Sequence, residues 1–247
     1  MVGDITGTVV TIFAGREDVQ SLLPPELTFA NDDTLPAWLR ERDGHPVIAI
    51  IGSNEIGRRK RTLGRYHTVP LFPNFLETFV AVPYLRPVDG ADSETCFHFA
   101  RVYCQKFWPT EVGRLCVGWP KQQCPMRLSQ EGDVQRYEIE QNGRPLLTAS
   151  TDLANPTPLT PSQESLSRIV AMLSQPLVLI KNGKLRRIDW NLRFNSARLA
   201  AVPADVTQHP GFFPSLTKPL ELSFPQMSDS EFGAFHLETT FLNRGEV

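Results

Sequence analysis

The sequence predicts an α+β protein dominated by antiparallel β-structure, and three observations carry that reading. Short runs of β-branched and aromatic residues recur along the chain, each bounded by Pro, Gly or Asn. Two Asn-Gly pairs, Asn142-Gly143 and Asn182-Gly183, lie between such runs. Asn-Gly tolerates positive φ at both positions, so each pair marks a tight hairpin. Helical spacing is confined to two segments, and no glycine-rich phosphate loop of the dinucleotide or nucleotide-triphosphate kind is present. Connections made mostly by hairpins argue against a doubly wound parallel sheet.

The first strand covers residues 5–13 (ITGTVVTIF), and a short helix over 16–23 ends at Pro24-Pro25. Strands follow at 47–51, 75–82, 95–103 and 112–119. The first Asn-Gly hairpin joins 137–140 to 146–150, and the second joins 177–180 to 185–194. Between them, Thr160-Pro161-Ser162-Gln163 offers an N-cap hydroxyl, a proline at the first helical position and a Gln to complete a capping box. Leu166, Ile169, Val170 and Leu173 then mark one helical face, and Pro176 ends it. Late strands are expected at 220–224 and 235–241. With no internal repeat, low-complexity block or long linker, residues 1–247 are expected to form a single domain.

Composition excludes several function classes. A formal charge of −2 over 247 residues removes the global attraction expected of a general nucleic-acid binder. No run of about 18 uncharged apolar residues exists, so no membrane span is expected. Met1-Val2-Gly3-Asp4 lacks the basic and apolar regions of a signal peptide, which points to the cytoplasm. Cys96, Cys104, Cys116 and Cys124 match no zinc or redox spacing and read as apolar fillers in or beside strands. Five scattered histidines form no pair at ligand spacing, so neither a metal nor a cofactor is expected. The one basic cluster, Arg58-Arg59-Lys60-Arg61, reads as a solvated loop. Twenty-one prolines imply frequent turns, and only six of the 25 cationic residues are lysines, so each lysine is weighed individually.

One segment carries chemistry: residues 112–124, VGRLCVGWPKQQC. An apolar run enters Gly118-Trp119-Pro120 and then delivers Lys121. Proline fixes φ and biases the residue before it toward an extended backbone, so Lys121 leaves the turn with a defined direction. Val117 and Trp119, with Phe107 and Trp108 upstream, can supply an apolar pocket. Burial disfavours an ammonium and favours the free amine, which attacks carbonyls. The alternative is a lysine at a strand end that snorkels to water.

The same segment resembles the acetoacetate decarboxylase-like superfamily, whose members carry a strand, an aromatic-Pro-Lys turn and an imine-forming lysine. Further elements follow in the family's order. Leu22-Leu23-Pro24-Pro25-Glu26-Leu27 is similar to its early Val-Val-Pro-Glu-Pro-Leu element, and Phe75-Leu76-Glu77-Thr78 to its aromatic-x-Glu strand. Residues 99–113 match the strand and loop before the lysine turn. Ser196-Ala197-Arg198-Leu199 and Pro219-Leu220-Glu221-Leu222 resemble the C-terminal hairpin region. The resemblance spans nearly the whole chain and implies a barrel or cone of strands with few short helices. It assigns Lys121 as the imine lysine and Glu77 as the active-site glutamate. Arg101, Tyr103, Trp108, Trp119 and Gln122 are expected to bind substrate.

Three departures bear on the reaction. Where the decarboxylase proper has a second lysine, this chain has the neutral Gln122. The first strand holds no arginine, and residues 47–51 hold no second acid. These losses point away from acetoacetate itself and toward a keto acid or a bulkier, polyketide-like carbonyl compound. That compound would be decarboxylated, or carried through imine-assisted aldol or dehydration chemistry, in small-molecule metabolism that includes specialised pathways. A second reading keeps the pocket without the imine, as a cyclase or isomerase with Lys121 a cationic donor and Glu77 the acid or base. A third is a noncatalytic small-molecule binder. The only partner expected besides substrate is a second copy of the chain, as a homo-oligomer.

Overall fold

The computed structural model describes residues 2–62, 65–90, 94–160, 162–228 and 231–246, with the side chains of 2, 57–62, 65–70, 73 and 242–246 left aside. The strands run β1 Val2–Ala14, β2 Leu27–Phe29, β3 His45–Thr62, β4 Arg65–Pro87, β5 Cys96–Cys104, β6 Lys121–Gln123, β7 Met126–Glu131 and β8 Val134–Gln141. They continue as β9 Arg144–Asp152, β10 Thr157–Pro158, β11 Leu177–Lys181, β12 Lys184–Leu192, β13 Arg198–Ala201, β14 Ala204–Gln208, β15 Leu220–Phe224 and β16 Phe235–Glu246. The α-helices are short: α1 Arg16–Gln20, α2 Ala37–Arg40, α3 Phe107–Val112 and α4 Glu164–Leu173.

Strands β1, β3, β4, β5, β11, β12 and β16 pair in that order, and β16 pairs back to β1, closing a barrel. Every step around it is antiparallel except β5–β11. A second sheet, ordered β15-β14-β9-β8-β7, packs against the outside. Barrel strands are therefore buried on both faces, which explains why β3 reads Val47-Ile48-Ala49-Ile50-Ile51 without polar alternation. Ile48 and Ile50 face one core with Phe79, Phe97, Phe99, Trp190 and the buried face of α4. Val47, Ala49 and Ile51 face the other, with Tyr137, Ile139, Leu147 and Phe212.

Both Asn-Gly hairpins form, with φ of 54° and 72° at Asn142-Gly143 and 54° and 69° at Asn182-Gly183. The α4 helix begins later than its capping signal: Gln163 is the N-cap. Half of the expected box survives, since the Gln163 side chain accepts from the Thr160 amide at 3.1 Å, but inside a turn that precedes the helix. Arg58, Arg59, Lys60 and Arg61 lie in the β3–β4 ladder, paired with residues 66–69, and not in a loop. Continued pairing with a β-prone partner strand extends the ladder through them, while their side chains lie outside the described residues. Three cysteines are buried fillers, but Cys116 is exposed. No described helix is long and apolar enough to cross a membrane.

The barrel buries His45, whose Nε2–H donates to the Pro83 carbonyl at 2.8 Å while its ring lies 4.6 Å from that of Phe29. Burial pulls this imidazole down to about 4, with the nearby Arg16 acting in the same sense. His98 and His236 are also held down by burial. A group neutral when folded and protonated when unfolded draws protons to the unfolded chain, so stability falls as pH drops from about 6.5 toward 4. For His45 the full effect is about 3 kcal/mol. Urea unfolding at pH 7 and pH 5 should show about 2 kcal/mol of this loss, and His45→Gln should reduce the difference; an unchanged difference in that variant would refute the assignment.

Candidate active site

Lys121 opens β6, which runs parallel to β5 with Lys121 opposite Val102. The expected strand over 112–119 is instead helical through residue 117. The α3 helix takes Pro109 in its first turn, where a missing N–H is tolerated, and the buried Thr110 hydroxyl donates to the Lys106 carbonyl at 2.7 Å. Residues Gly113–Val117 then widen into a π turn. The Gly118 amide donates to the Gly113 carbonyl at 3.0 Å, and the Trp119 amide donates to the same carbonyl at 3.1 Å. Gly118 closes the turn at φ 87°, a left-handed conformation that favours glycine. The short run VGRLCV fits a strand period and a five-residue turn alike, and packing decides between them. Val112 and Val117, five residues apart, both face the same cavity.

Inside the barrel, Lys121 Nζ forms an ion pair with Glu77 Oε1, the two side chains being 4% and 1% exposed. The Asn54 side-chain amide donates to the other carboxylate oxygen, Oε2. The register explains this grouping: Gly52 on β3 lies opposite Glu77 on β4, so Asn54 is its diagonal neighbour. On the other edge Cys104 lies opposite Glu77. Burial pushes the Cys104 thiol up, and the Glu77 carboxylate adds to that, so it stays neutral. The ammonium sits 5.2 Å from the Trp119 ring and 5.8 Å from that of Phe75. The lysine stem passes over Gly113, where a Cβ would stand 2.6 Å from Lys121 Cδ. Two buried charges are stable only when paired and further hydrogen-bonded, and Glu77 and Asn54 supply both requirements.

The space beside Nζ is small, about 30 Å³, walled by Ile56 and Phe72 from the barrel, Val112, Gly113 and Val117 from the helical turn, Trp119, and Phe241 on β16. Among the other expected substrate residues, placement differs. Tyr103 is fully buried on the opposite face of β5. Arg101 donates to the Tyr103 hydroxyl at 3.1 Å and to the carbonyls of Gly211 and Phe212 at 2.9 Å each, tying the barrel wall to the segment after β14. Gln122 points outward, as strand alternation requires of Lys121's neighbour, and accepts from Gln141 at 3.2 Å. Trp108 is 67% exposed against Phe107. Trp119 alone of these five lines the cavity. Asn54 and Gly113 went unnoticed in the sequence; the alternation Ile50, Gly52, Asn54, Ile56 beyond the assumed strand end was the available signal for Asn54. Among the described residues, no group of three or more His, Cys, Asp or Glu could hold a metal ion.

No protein-family model and no curated protein matches the chain. Solved structures do match, over its whole length. The enduracididine biosynthesis enzyme MppR complexed with pyruvate superposes with a TM-score of 0.60 at 13% identity, covering 100% of this chain and 88% of that one. The fold is that of the acetoacetate decarboxylase-like enzymes. Acetoacetate decarboxylase from Legionella pneumophila gives a TM-score of 0.56 at 14% identity, covering 100% and 84%. An acetoacetate decarboxylase-like enzyme from Sphingomonas wittichii RW1 gives 0.56 at 12%, covering 100% and 91%. These structural neighbours are enzymes, and at identities this low the likeness is one of fold.

Proposed function

We propose that this acetoacetate decarboxylase-like protein is a Schiff-base enzyme acting on a small keto acid, with Lys121 as the imine-forming residue and Glu77 as its proton partner. The observation that supports this most is the buried Lys121–Glu77 pair facing an apolar, aromatic-walled cavity. Moving one proton from Nζ to the carboxylate leaves a free amine and a carboxylic acid, with no net change of charge. The amine lone pair attacks the substrate carbonyl, forming the C–N bond as the C=O π bond breaks, and protons shuttled through Glu77 give the carbinolamine. Glu77 then protonates the hydroxyl, water departs, and an iminium faces a carboxylate where an ammonium stood before. The iminium accepts the electron pair left by departing CO2, or by a C–H proton taken by Glu77.

The small volume beside Nζ favours a compact keto acid over the bulky compound expected from the sequence, which would require the α3 and π-turn wall to move. A structural neighbour complexed with pyruvate makes pyruvate the first probe. Incubation with pyruvate or a small diketone, borohydride reduction and peptide mapping should place an adduct on Lys121, absent from Lys121→Arg. An adduct elsewhere, or none, would overturn the imine. The ion pair itself supports a second reading, a non-covalent isomerase or cyclase in which charged Lys121 stabilises an enolate. Turnover retained by Lys121→Arg would select it.

A further inference from the structure

We infer that Asn54 is the positioning residue that sets the proton balance between Lys121 and Glu77, an inference that deepens the reading of Lys121 as the reacting amine. Asn54 is 1% exposed, and its amide N–H binds Glu77 Oε2. This contact leaves Oε1 for Lys121. The amide's orientation is fixed by its partner, because the reverse orientation would set its oxygen against a carboxylate oxygen. A neutral donor stabilises the carboxylate enough to hold the ammonium but adds no second negative charge. The other groups around the pair leave Asn54 that role. Cys104 faces Glu77 from β5 as a neutral thiol. Pro109, Val112, Val117 and Phe241, from α3, the π turn and β16, bring no charge among the described residues.

The test is the pH dependence of Lys121 modification by acetic anhydride, read by peptide mass spectrometry, which does not require an imine. Asn54→Asp adds a negative charge that holds the ammonium, so its midpoint should rise by at least about one pH unit. Asn54→Leu keeps the volume but removes the donor, disfavours the Glu77 anion and should move the midpoint down. Opposite shifts in two folded variants cannot come from a merely structural role. Midpoints that coincide with the wild type, or that move together, overturn the inference. So does a Lys121 that stays unmodified in all three proteins. Opposite shifts without any borohydride adduct would uphold it while removing the imine reading.

Discussion

Replacing Lys121 by Met should destabilise the protein by about 3 kcal/mol, because it leaves the Glu77 carboxylate buried without its counter-charge. Glu77 is 1% exposed, and water cannot take over the lost interaction. The double variant Lys121→Met/Glu77→Leu should recover part of that stability, since two apolar side chains of similar volume suit the surrounding aromatic wall while the buried Asn54 amide loses its carboxylate partner. It should be inert toward carbonyl compounds. Urea denaturation of the single and double variants measures the pattern directly. A single variant costing less than about 1 kcal/mol would mean that the pair is hydrated and weak, as surface ion pairs are. The expected pattern would make the pair a functional device held at the expense of stability.

Gly113→Ala should suppress adduct formation at Lys121 by about a hundredfold, the scale expected when a reacting group is displaced by about 1 Å. The added Cβ would lie 2.6 Å from Lys121 Cδ and 2.8 Å from Cε, closer than carbon atoms can approach. The lysine stem therefore has to leave its channel, or the π turn has to lift. Overpacking of this kind also costs about 1–3 kcal/mol. The rate of borohydride-trapped adduct, measured on a variant shown to be folded, separates the two effects. An Ala variant that traps carbonyls at the wild-type rate would show that the stem has other routes to the carboxylate.

Much of the fold was legible in the chain. The Asn-Gly hairpins formed where they were expected because two adjacent positive-φ positions are a local requirement that few sequences meet. The apolar face of α4 likewise followed from spacing. The run before Lys121 could not be read this way. Its alternation suits a strand, and only the placement of Val112 and Val117 on one side of the cavity reveals the π turn. Strand lengths were underestimated too. Pairing of β3 with both neighbours carries it through polar residues that looked like an end, and Asn54 reached the site that way.

Lys121 and Glu77 could be singled out from the order of motifs along the chain, since the aromatic-Pro-Lys turn and the aromatic-x-Glu strand are local patterns. Their meeting was another matter. Glu77 and Lys121 are joined by β5 lying between β4 and β6, and no local pattern encodes that adjacency. The same holds for side. Arg101 and Tyr103 share a strand with Val102, yet they face the outer sheet because the pleat alternates and a bulge resets its phase between Val80 and Ala81. Local chemistry thus determined the hairpins, and the resemblance of two short motifs singled out the candidate acid and amine. Barrel closure decided which residues share the interior with them, because faces, registers and bulges are settled only when every strand has found its partners.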